Sequence, residues 1–192
     1  MDLDDHHVVH HNHRIKPNSL FFEIERQPEK DYLVLVYSIL LHSGRLILFS
    51  RRFSLTLTNG KSPRILASAL SDGEQFLAVL LHQRRGVYQL HVLELDHSGE
   101  GNQLPDLDSV AQLETTIEAS GEVEMKFGSL EDSQETGVIQ KAMIRLYAGQ
   151  SEGKDNRFDF LFLTTEVPDC EEDGVDGEGL VEELTGYKLV AV

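Results

Sequence analysis

Alternating apolar and polar residues run through most of the chain and predict β-strands. The clearest stretch, Pro63–Leu95, contains three strand candidates: Ile65–Leu70, Gln75–His82 and Val87–Leu95. Ser71-Asp72-Gly73 separates the first two as a predicted turn. The apolar run Phe76–Leu81 is short and well bounded, so it predicts a buried central strand better than a helix.

The chain before this stretch also has a strand-like pattern. Four strands are predicted there: Ser19–Glu25, Tyr32–Leu41, Arg45–Phe49 and Phe53–Thr58. Ser43-Gly44 predicts a tight hairpin connection between the second and third strands. Asn59-Gly60 is the strongest two-residue hairpin signal of the chain, because both residues tolerate a positive φ.

The second half repeats this pattern with longer polar interruptions. Asp96–Asp108 predicts a long loop or an internal boundary, and Val110–Ile117 fits either a strand or a short helix. Polar loops are also predicted at 131–137, 149–156 and 168–179. Four further strands are predicted: Glu122–Phe127, Val138–Ala148, Arg157–Val167 and Tyr187–Val192.

No long window has a helical period of 3.6 residues. The pattern therefore predicts an all-β domain of roughly nine to eleven strands, spaced as in antiparallel sandwiches, barrels and propellers. Residues 1–18 have no apolar periodicity and predict a disordered His/Asp-rich head. Residues 19–192 are expected to form a single β-rich domain.

One stretch resembles a known repeat. Ser71-Asp72-Gly73 followed by Glu-Gln-Phe-Leu-Ala-Val is similar to the S-x-D-G-x-x-L-A-V pattern of WD40-like β-propeller blades, and Leu90–Leu95 stands where the third blade strand would. The resemblance covers residues 63–95 and lacks the Trp-Asp and Gly-His dipeptides of the family. A period of about 40 residues does not repeat along the chain, which has room for only about four blades. The resemblance implies a degenerate or partial propeller that acts as a binding platform in a multi-subunit assembly.

Charge divides the chain into two unlike halves. Residues 1–95 carry 11 Lys+Arg and 10 Asp+Glu, a net of +1, whereas residues 96–192 carry 6 and 23, a net of −17. An acidic surface repels phosphate backbones, so nucleic acid is not an expected partner. A protein partner with a basic surface is the natural complement. The basic doublets Arg51-Arg52 and Arg84-Arg85 are expected to be solvated turn residues, or to bind an acidic partner or the chain's own acidic half.

Cysteine usage and the N-terminal sequence predict the compartment. Cys170 is the only cysteine, so an intramolecular disulfide is impossible, as expected for a reducing compartment. A basic and then apolar leader is absent from the N-terminus, and the apolar stretch Leu33–Leu41 is about half the length that spans a bilayer. These features predict a cytoplasmic or nuclear protein without a membrane partner.

The N-terminal histidines are the first candidate for chemistry. Five imidazoles lie close together in the sequence: His6, His7, His10, His11 and His13. Such a density can bind Zn²⁺, Ni²⁺ or Cu²⁺, but a specific site needs fixed ligands and a second shell, which a disordered head lacks. His11-Asn12-His13 is similar to the start of a cupin metal motif, although the next Glu is Glu23. A small metal-dependent β-barrel enzyme of cupin type is therefore the alternative hypothesis.

Other site chemistries find less support. The acidic loop Asp169–Leu180 begins like an EF-hand but has Leu180 where a bidentate Glu is required. Nucleophile-elbow and phosphate-binding motifs do not occur, and Cys170 lies among carboxylates that disfavour its thiolate. His42, His82, His91 and His97 are expected to be structural or exposed. No catalytic, cofactor-binding or metal-binding residue is singled out.

These features together predict a non-enzymatic protein–protein interaction module, a scaffold or accessory subunit of a larger intracellular complex.

Overall fold

A computed structural model describes residues 18–57, 59–96, 104–117, 122–132, 140–149, 156–164 and 186–192. These residues form twelve β-strands: β1 (Leu20–Arg26), β2 (Asp31–Leu40), β3 (Leu46–Phe53), β4 (Arg64–Leu70), β5 (Phe76–Arg84), β6 (Val87–Asp96), β7 (Asp106–Thr116), β8 (Val123–Phe127), β9 (Glu131–Asp132), β10 (Gln140–Ala148), β11 (Asn156–Thr164) and β12 (Tyr187–Ala191). The all-β prediction is confirmed.

The strands form three antiparallel sheets. Sheet A has the order β1-β2-β3 and sheet B the order β4-β5-β6-β7; sheet C has the order β12-β11-β10-β8, with β9 also paired to β10. Neighbours in sheets A and B follow one another along the chain, so each of these sheets is an up-and-down meander. In the described residues none of the sheets closes into a barrel, and the architecture is that of a layered antiparallel sandwich.

Sheet B lies between the other two sheets. Its strand β5 is buried from Phe76 to Leu81, as its continuous apolar sequence predicts for a strand covered on both faces. Leu77, Val79 and Leu81 contact sheet A, whereas the alternate residues Phe76, Ala78 and Leu80 contact sheet C. The buried central strand predicted from the sequence is confirmed.

Two separate apolar cores result from this layering. Between sheets A and B the buried side chains are Leu20, Leu33, Leu35, Leu57, Ile65, Leu77, Val79, Leu81, Leu93 and Leu95. The core between sheets B and C contains an aromatic cluster, in which the Phe162 ring lies 5.1 Å from Phe76 and 5.9 Å from Phe127, edge to face in both pairs. Edge-to-face packing adds to the area that the rings bury.

Polar contacts also tie the sheets together. The Asp31 carboxylate, which is fully buried, accepts hydrogen bonds from the Ile65 N–H at 2.9 Å and from Arg64 Nη1 at 2.8 Å, both on β4. On the other side of sheet B, the Tyr187 hydroxyl donates to the Glu94 carboxylate at 3.1 Å. Burial, and then this hydrogen bond, raise the pKa of Tyr187.

The prediction of a strand at Phe53–Thr58 is wrong. Strand β3 already runs through to Phe53, and residues 54–57 leave the sheet. Asn59-Gly60 forms a tight turn, with the Leu57 N–H bonded to the Lys61 carbonyl at 2.9 Å and Gly60 at φ +75°. That turn carries the chain from sheet A to sheet B, so it does not join two paired strands as a hairpin would.

Strand residues also occur inside predicted loops. Strand β7 begins at Asp106, inside the loop predicted for Asp96–Asp108, and the ambiguous segment Val110–Ile117 is part of this strand. The short strand β9 lies within the loop predicted for Glu131–Gly137. Both segments are acidic at these points, and pairing with a neighbouring strand overrides their polar composition.

Candidate interaction surfaces

The end of the β2–β3 hairpin exposes a group of large apolar side chains. We call Leu40, Leu41, Leu46, Leu48 and Phe49 the hairpin patch; each is 37% to 47% exposed. In the part of the chain that the structure describes, the other exposed large apolar residue is Val192. Scattered apolar residues are normal on a surface, but a contiguous group of them marks an interaction site.

The patch is exposed because the hairpin is longer than the sheet that covers it. Strands β2 and β3 pair from Leu33–Phe53 to Leu40–Leu46. The fully buried residues of β2 in the core between sheets A and B are Leu33 and Leu35, and Tyr37 is partly buried against them. The turn is closed by hydrogen bonds from the Leu41 N–H to the Arg45 carbonyl and from the Gly44 N–H to the Leu41 carbonyl, both 2.9 Å long. Gly44 has φ +78°, which glycine adopts without strain.

The register divides the patch between the two faces of sheet A. Leu40, Leu46 and Leu48 lie on the outer face, the face directed away from sheet B, since they alternate with the core residues of their strands. Phe49 pairs with Tyr37 on the opposite face. The end of the hairpin therefore presents apolar surface on both sides.

The outer face of sheet A also carries charged groups. Arg52 forms an ion pair with Glu25 at 2.9 Å, and Lys30 Nζ lies 4.6 Å from the centroid of the Tyr32 ring. Glu23 is cross-strand from Val34 and forms no ion pair with another described residue. The charged residues described on this face are thus two acids and two cations, which balance.

The outer face of sheet C is basic, although it belongs to the acidic half of the chain. In β10 the buried residues Ala142, Ile144, Leu146 and Ala148 face sheet B, so the residues between them face outward. Five of the six Lys and Arg residues between 96 and 192 lie on this outer face: Lys126, Lys141, Arg145, Arg157 and Lys188. The acids on it are Glu124, Glu131 and Asp159. Among the described residues, five cations against three acids leave this face with a net charge of +2.

Part of this charge is neutralised within the face. Arg145 and Arg157 both form ion pairs with Asp159, and Lys126 pairs with Glu124 at 3.3 Å. The hydrogen bond from Arg157 lowers the pKa of the Asp159 carboxyl. Lys141 and Lys188 flank Leu163 in one cross-strand row and form no ion pair with a described residue.

Apolar side chains lie between these cations. Met143 and Tyr147 alternate with Arg145 along β10, and Leu161 and Leu163 occupy the neighbouring positions of β11. These four side chains are half-buried, unlike the fully buried residues on the other face of the same strands. A flat apolar centre with basic groups around it suits contact with another protein surface.

The first basic doublet is not in a turn but in strand β3. Arg51 contacts the second half of the chain, where its guanidinium lies 2.5 Å from the Asp106 carboxylate, whereas Arg52 pairs with Glu25 in the first half. Arg84 and Arg85 are exposed where β5 leads into β6. Among the described residues this second doublet forms no ion pair.

The described histidines occupy three different environments. His42 is exposed in the β2–β3 turn, and the His82 ring lies 5.4 Å from the Tyr88 ring. His91 is buried on β6, where its Nε2 is 3.2 Å from Gln89 Oε1, and burial lowers its pKa. No group of three His, Cys, Asp or Glu side chains suited to a metal ion occurs within the described ranges.

An open groove lies between the edge strands β7 and β12. It has a volume of about 410 Å³ and is lined by Ser109–Gln112 and Tyr187–Leu189. Its ionisable side chains are Tyr187 and Lys188. This lining provides no pair of groups placed for acid–base catalysis.

Several predicted features lie outside the described residues. They are the histidines of residues 1–13, His97, Cys170 and the acidic loop Asp169–Leu180. The metal-binding alternative depends on the first of these and remains a prediction.

Neither surface was identified from the sequence, although both leave a signal there. At the hairpin the signal is a pair of apolar runs, Ile39–Leu41 and Leu46–Phe49, that flank a Ser-Gly turn without polar alternation. On sheet C it is the alternation of Lys141, Met143, Arg145 and Tyr147 along one strand.

Comparison of the chain with family models, curated proteins and solved structures finds no match. The described residues contain no helix long and apolar enough to cross a membrane.

Proposed function

We propose that this chain is a non-enzymatic protein–protein interaction module, acting as a scaffold or accessory subunit of a larger assembly. The hairpin patch is the observation that carries the proposal. Five large apolar side chains, each about two-fifths exposed, leave roughly 300 Å² of apolar surface in water, the scale at which exposed patches are often functional. Covering this surface with a partner removes it from water and favours association.

The arrangement of the sheets supports a relation to β-propellers. Successive sheets pack face to face, and the four strands of sheet B form one antiparallel meander, as in a propeller blade. The first strands of the sheets, β1, β4 and β8, are neighbours in space, as the inner strands of adjacent blades are. In this proposal each sheet is a blade-like unit, and the segment that resembles a WD40 repeat forms the first three strands of sheet B.

The net charge of the chain favours a partner with a basic contact surface. A net charge of −16 repels acidic surfaces at long range, so a partner that approaches the chain has a basic contact surface. The hairpin patch supplies apolar contact, and the surrounding charges orient the encounter.

Affinity purification with matched variants tests the proposed function. We expect the wild-type chain to retain a partner in stoichiometric amount and Leu48→Glu to lose it, because the substitution puts a charge into the contact. Ser50→Glu is the control, since Ser50 is exposed on the same face of the same strand. Equal recovery of the same proteins by wild type and both variants would contradict the proposal, provided that circular dichroism shows all three folded.

A further inference from the structure

Strand β3 is an edge strand without the usual protection of an edge. In the described residues it pairs with β2 alone, from Leu46 to Phe53, and no bulge interrupts the register. An open edge is a template for a strand of another chain, so proteins blunt edges with bulges, prolines or charged side chains. The first half of β3, Leu-Ile-Leu-Phe-Ser, has none of these. The other edge strands of the three sheets each have one: Glu23 in β1, the bulge at Ile65 in β4, Asp106 in β7, Glu124 in β8 and Lys188 in β12.

The hydrogen bonds of the hairpin show which backbone groups of β3 face this edge. The Leu41 N–H bonds to the Arg45 carbonyl, so every second residue pair of the hairpin is hydrogen-bonded. Counted from there, Ile47, Phe49 and Arg51 direct their backbone N–H and C=O groups towards β2. The residues between them direct the same groups away from β2, to a side where no described strand pairs with β3: Leu46, Leu48, Ser50 and Arg52.

Side-chain exposure also places the open surface at the edge and not on a face. Leu48 and Phe49 are 47% and 44% exposed, although they lie on opposite faces of sheet A. A partner lying on one face would cover only one of them, whereas a strand added at the edge extends both faces. On the central strand β2 the buried residues belong to both faces: Leu33 and Leu35 face sheet B, and Val34, Val36 and Ser38 face the other way.

Sheet A is one strand narrower than the main path of each neighbouring sheet. Sheets B and C end in the fourth strands β7 and β12, which lie side by side and line the open groove. The equivalent place in sheet A, beside β3, holds no described strand. The Arg51 guanidinium of β3 reaches the Asp106 carboxylate at the start of β7, 2.5 Å away, so β3 and β7 are neighbours at this rim. A strand added to β3 would complete the rim.

We infer that β3 is a β-addition site, at which an extended segment of a partner protein pairs as the fourth strand of sheet A. The inference rests on the proposed function and states how the partner binds. The outward N–H and C=O groups of β3 supply the backbone hydrogen bonds, and the hairpin patch supplies apolar contact on both faces. The eight residues of β3, at about 3.4 Å each, offer an edge about 27 Å long.

The segment that fits this edge is apolar and carries no net negative charge. Residues opposite Leu46–Phe49 meet apolar side chains on both faces, so β-branched and aromatic residues fit best there. Arg51 and Arg52 already have acidic partners in Asp106 and Glu25, and the net charge of −16 repels an acidic segment. The same repulsion opposes pairing between the β3 edges of two copies of this chain.

Selection of displayed random peptides against the full chain tests the inference. We expect the selected peptides to be rich in Val, Ile, Thr and aromatic residues and to lack net negative charge. Ser50→Pro should weaken their binding more than about tenfold, because it removes an outward N–H and leaves every side chain of the hairpin patch in place. Ser50→Thr keeps that N–H and is the matched control. Circular dichroism verifies that both variants are folded.

Amide hydrogen exchange, followed by NMR, detects the added strand directly. In the chain alone, the amides of Leu48 and Ser50 should exchange fast and those of Ile47 and Phe49 slowly. A selected peptide should slow the first pair more than about tenfold and change the second pair little. Slow exchange of all four in the chain alone would overturn the inference. The edge would then be filled by a second copy if ultracentrifugation shows a dimer, or by the chain itself if it shows a monomer.

Other results would also overturn β-addition. They are failure to select any peptide, selected peptides with a helical period of apolar residues, or peptides that bind Ser50→Pro as tightly as wild type. Affinity purification separates this inference from the proposed function. A partner that Leu48→Glu loses and Ser50→Pro retains would exclude strand addition and leave the proposed function standing. A partner that both variants retain would contradict both.

Discussion

At the scale of single residues, Asp31 shows how a charge can join two sheets. Its carboxylate is buried and accepts hydrogen bonds from Arg26 at the end of β1 and from Arg64 and the Ile65 N–H on β4. Charge-assisted bonds and a satisfied backbone N–H offset the cost of burying the carboxylate. The sequence shows only a polar residue at the end of the predicted Gln27–Asp31 turn, because its two partners on β4 lie more than thirty positions away.

Removal of this carboxylate should destabilise the contact between sheets A and B. We expect Asp31→Ala to lower the free energy of unfolding by about 2–4 kcal/mol, because it leaves the Ile65 N–H buried without an acceptor. Urea denaturation followed by circular dichroism measures the change. Glu29→Ala, at an exposed position of the same turn, should change the free energy by less than about 0.5 kcal/mol. Equal effects of the two substitutions would refute this role for Asp31.

His91 makes the stability depend on pH. Burial lowers its pKa from the ordinary value of 6.5, so the folded chain favours the neutral imidazole. Above pH 6.5, His91 therefore does not oppose folding. Below pH 6.5, the unfolded chain binds a proton at His91 more readily than the folded chain does, so the free energy of unfolding falls as the pH drops. We expect His91→Gln to reduce the loss of stability between about pH 7 and pH 5.5. Urea denaturation midpoints at both pH values measure this loss of stability, and His42→Gln is the exposed control. The same pH dependence in His91→Gln and in wild type would contradict this role for His91.

At the scale of elements, the strand pattern was predictable where alternation or a bounded apolar run was clear. β5 is the best case, because six consecutive buried residues require cover on both faces. The strand prediction was wrong at Phe53–Thr58. The alternation of apolar and polar residues continues there, but β3 ends at Phe53 and the chain turns towards sheet B. There Leu55 and Leu57 still pack into the core between sheets A and B. Alternation shows which residues face a core, not whether the backbone pairs with a neighbour.

The two-sided burial of β5 leads to a prediction about its stability. Leu77 contributes to the core with sheet A and Leu80 to the core with sheet C, and both are fully buried. We expect Leu77→Ala and Leu80→Ala each to cost about 2–5 kcal/mol of folding free energy, since each leaves a cavity in a separate core. Guanidinium denaturation measures both, with Leu48→Ala as a surface control. A cost below about 1 kcal/mol for one of the two would mean that its core does not support the fold.

At the scale of the whole molecule, the sequence predicts the fold class but not the layering. Strand patterns indicate which residues are buried, but not which sheet covers them. The division into a near-neutral and an acidic half likewise concealed the basic outer face of sheet C. Its five cations are distributed over four strands between Lys126 and Lys188, so they come together only through the strand pairing. The hairpin patch was missed for a similar reason, because a covered and an uncovered hairpin have the same apolar sequence.

The proposed function makes the hairpin patch a contact surface for another protein chain. The most direct measurement is photo-crosslinking in cells, with a benzophenone-bearing phenylalanine in place of Phe49 and, as control, in place of the exposed Arg84. We predict one dominant crosslinked species from position 49 that is absent from position 84 and is lost when Leu48→Glu is added. No crosslink at position 49, or the same products from both positions, would contradict it.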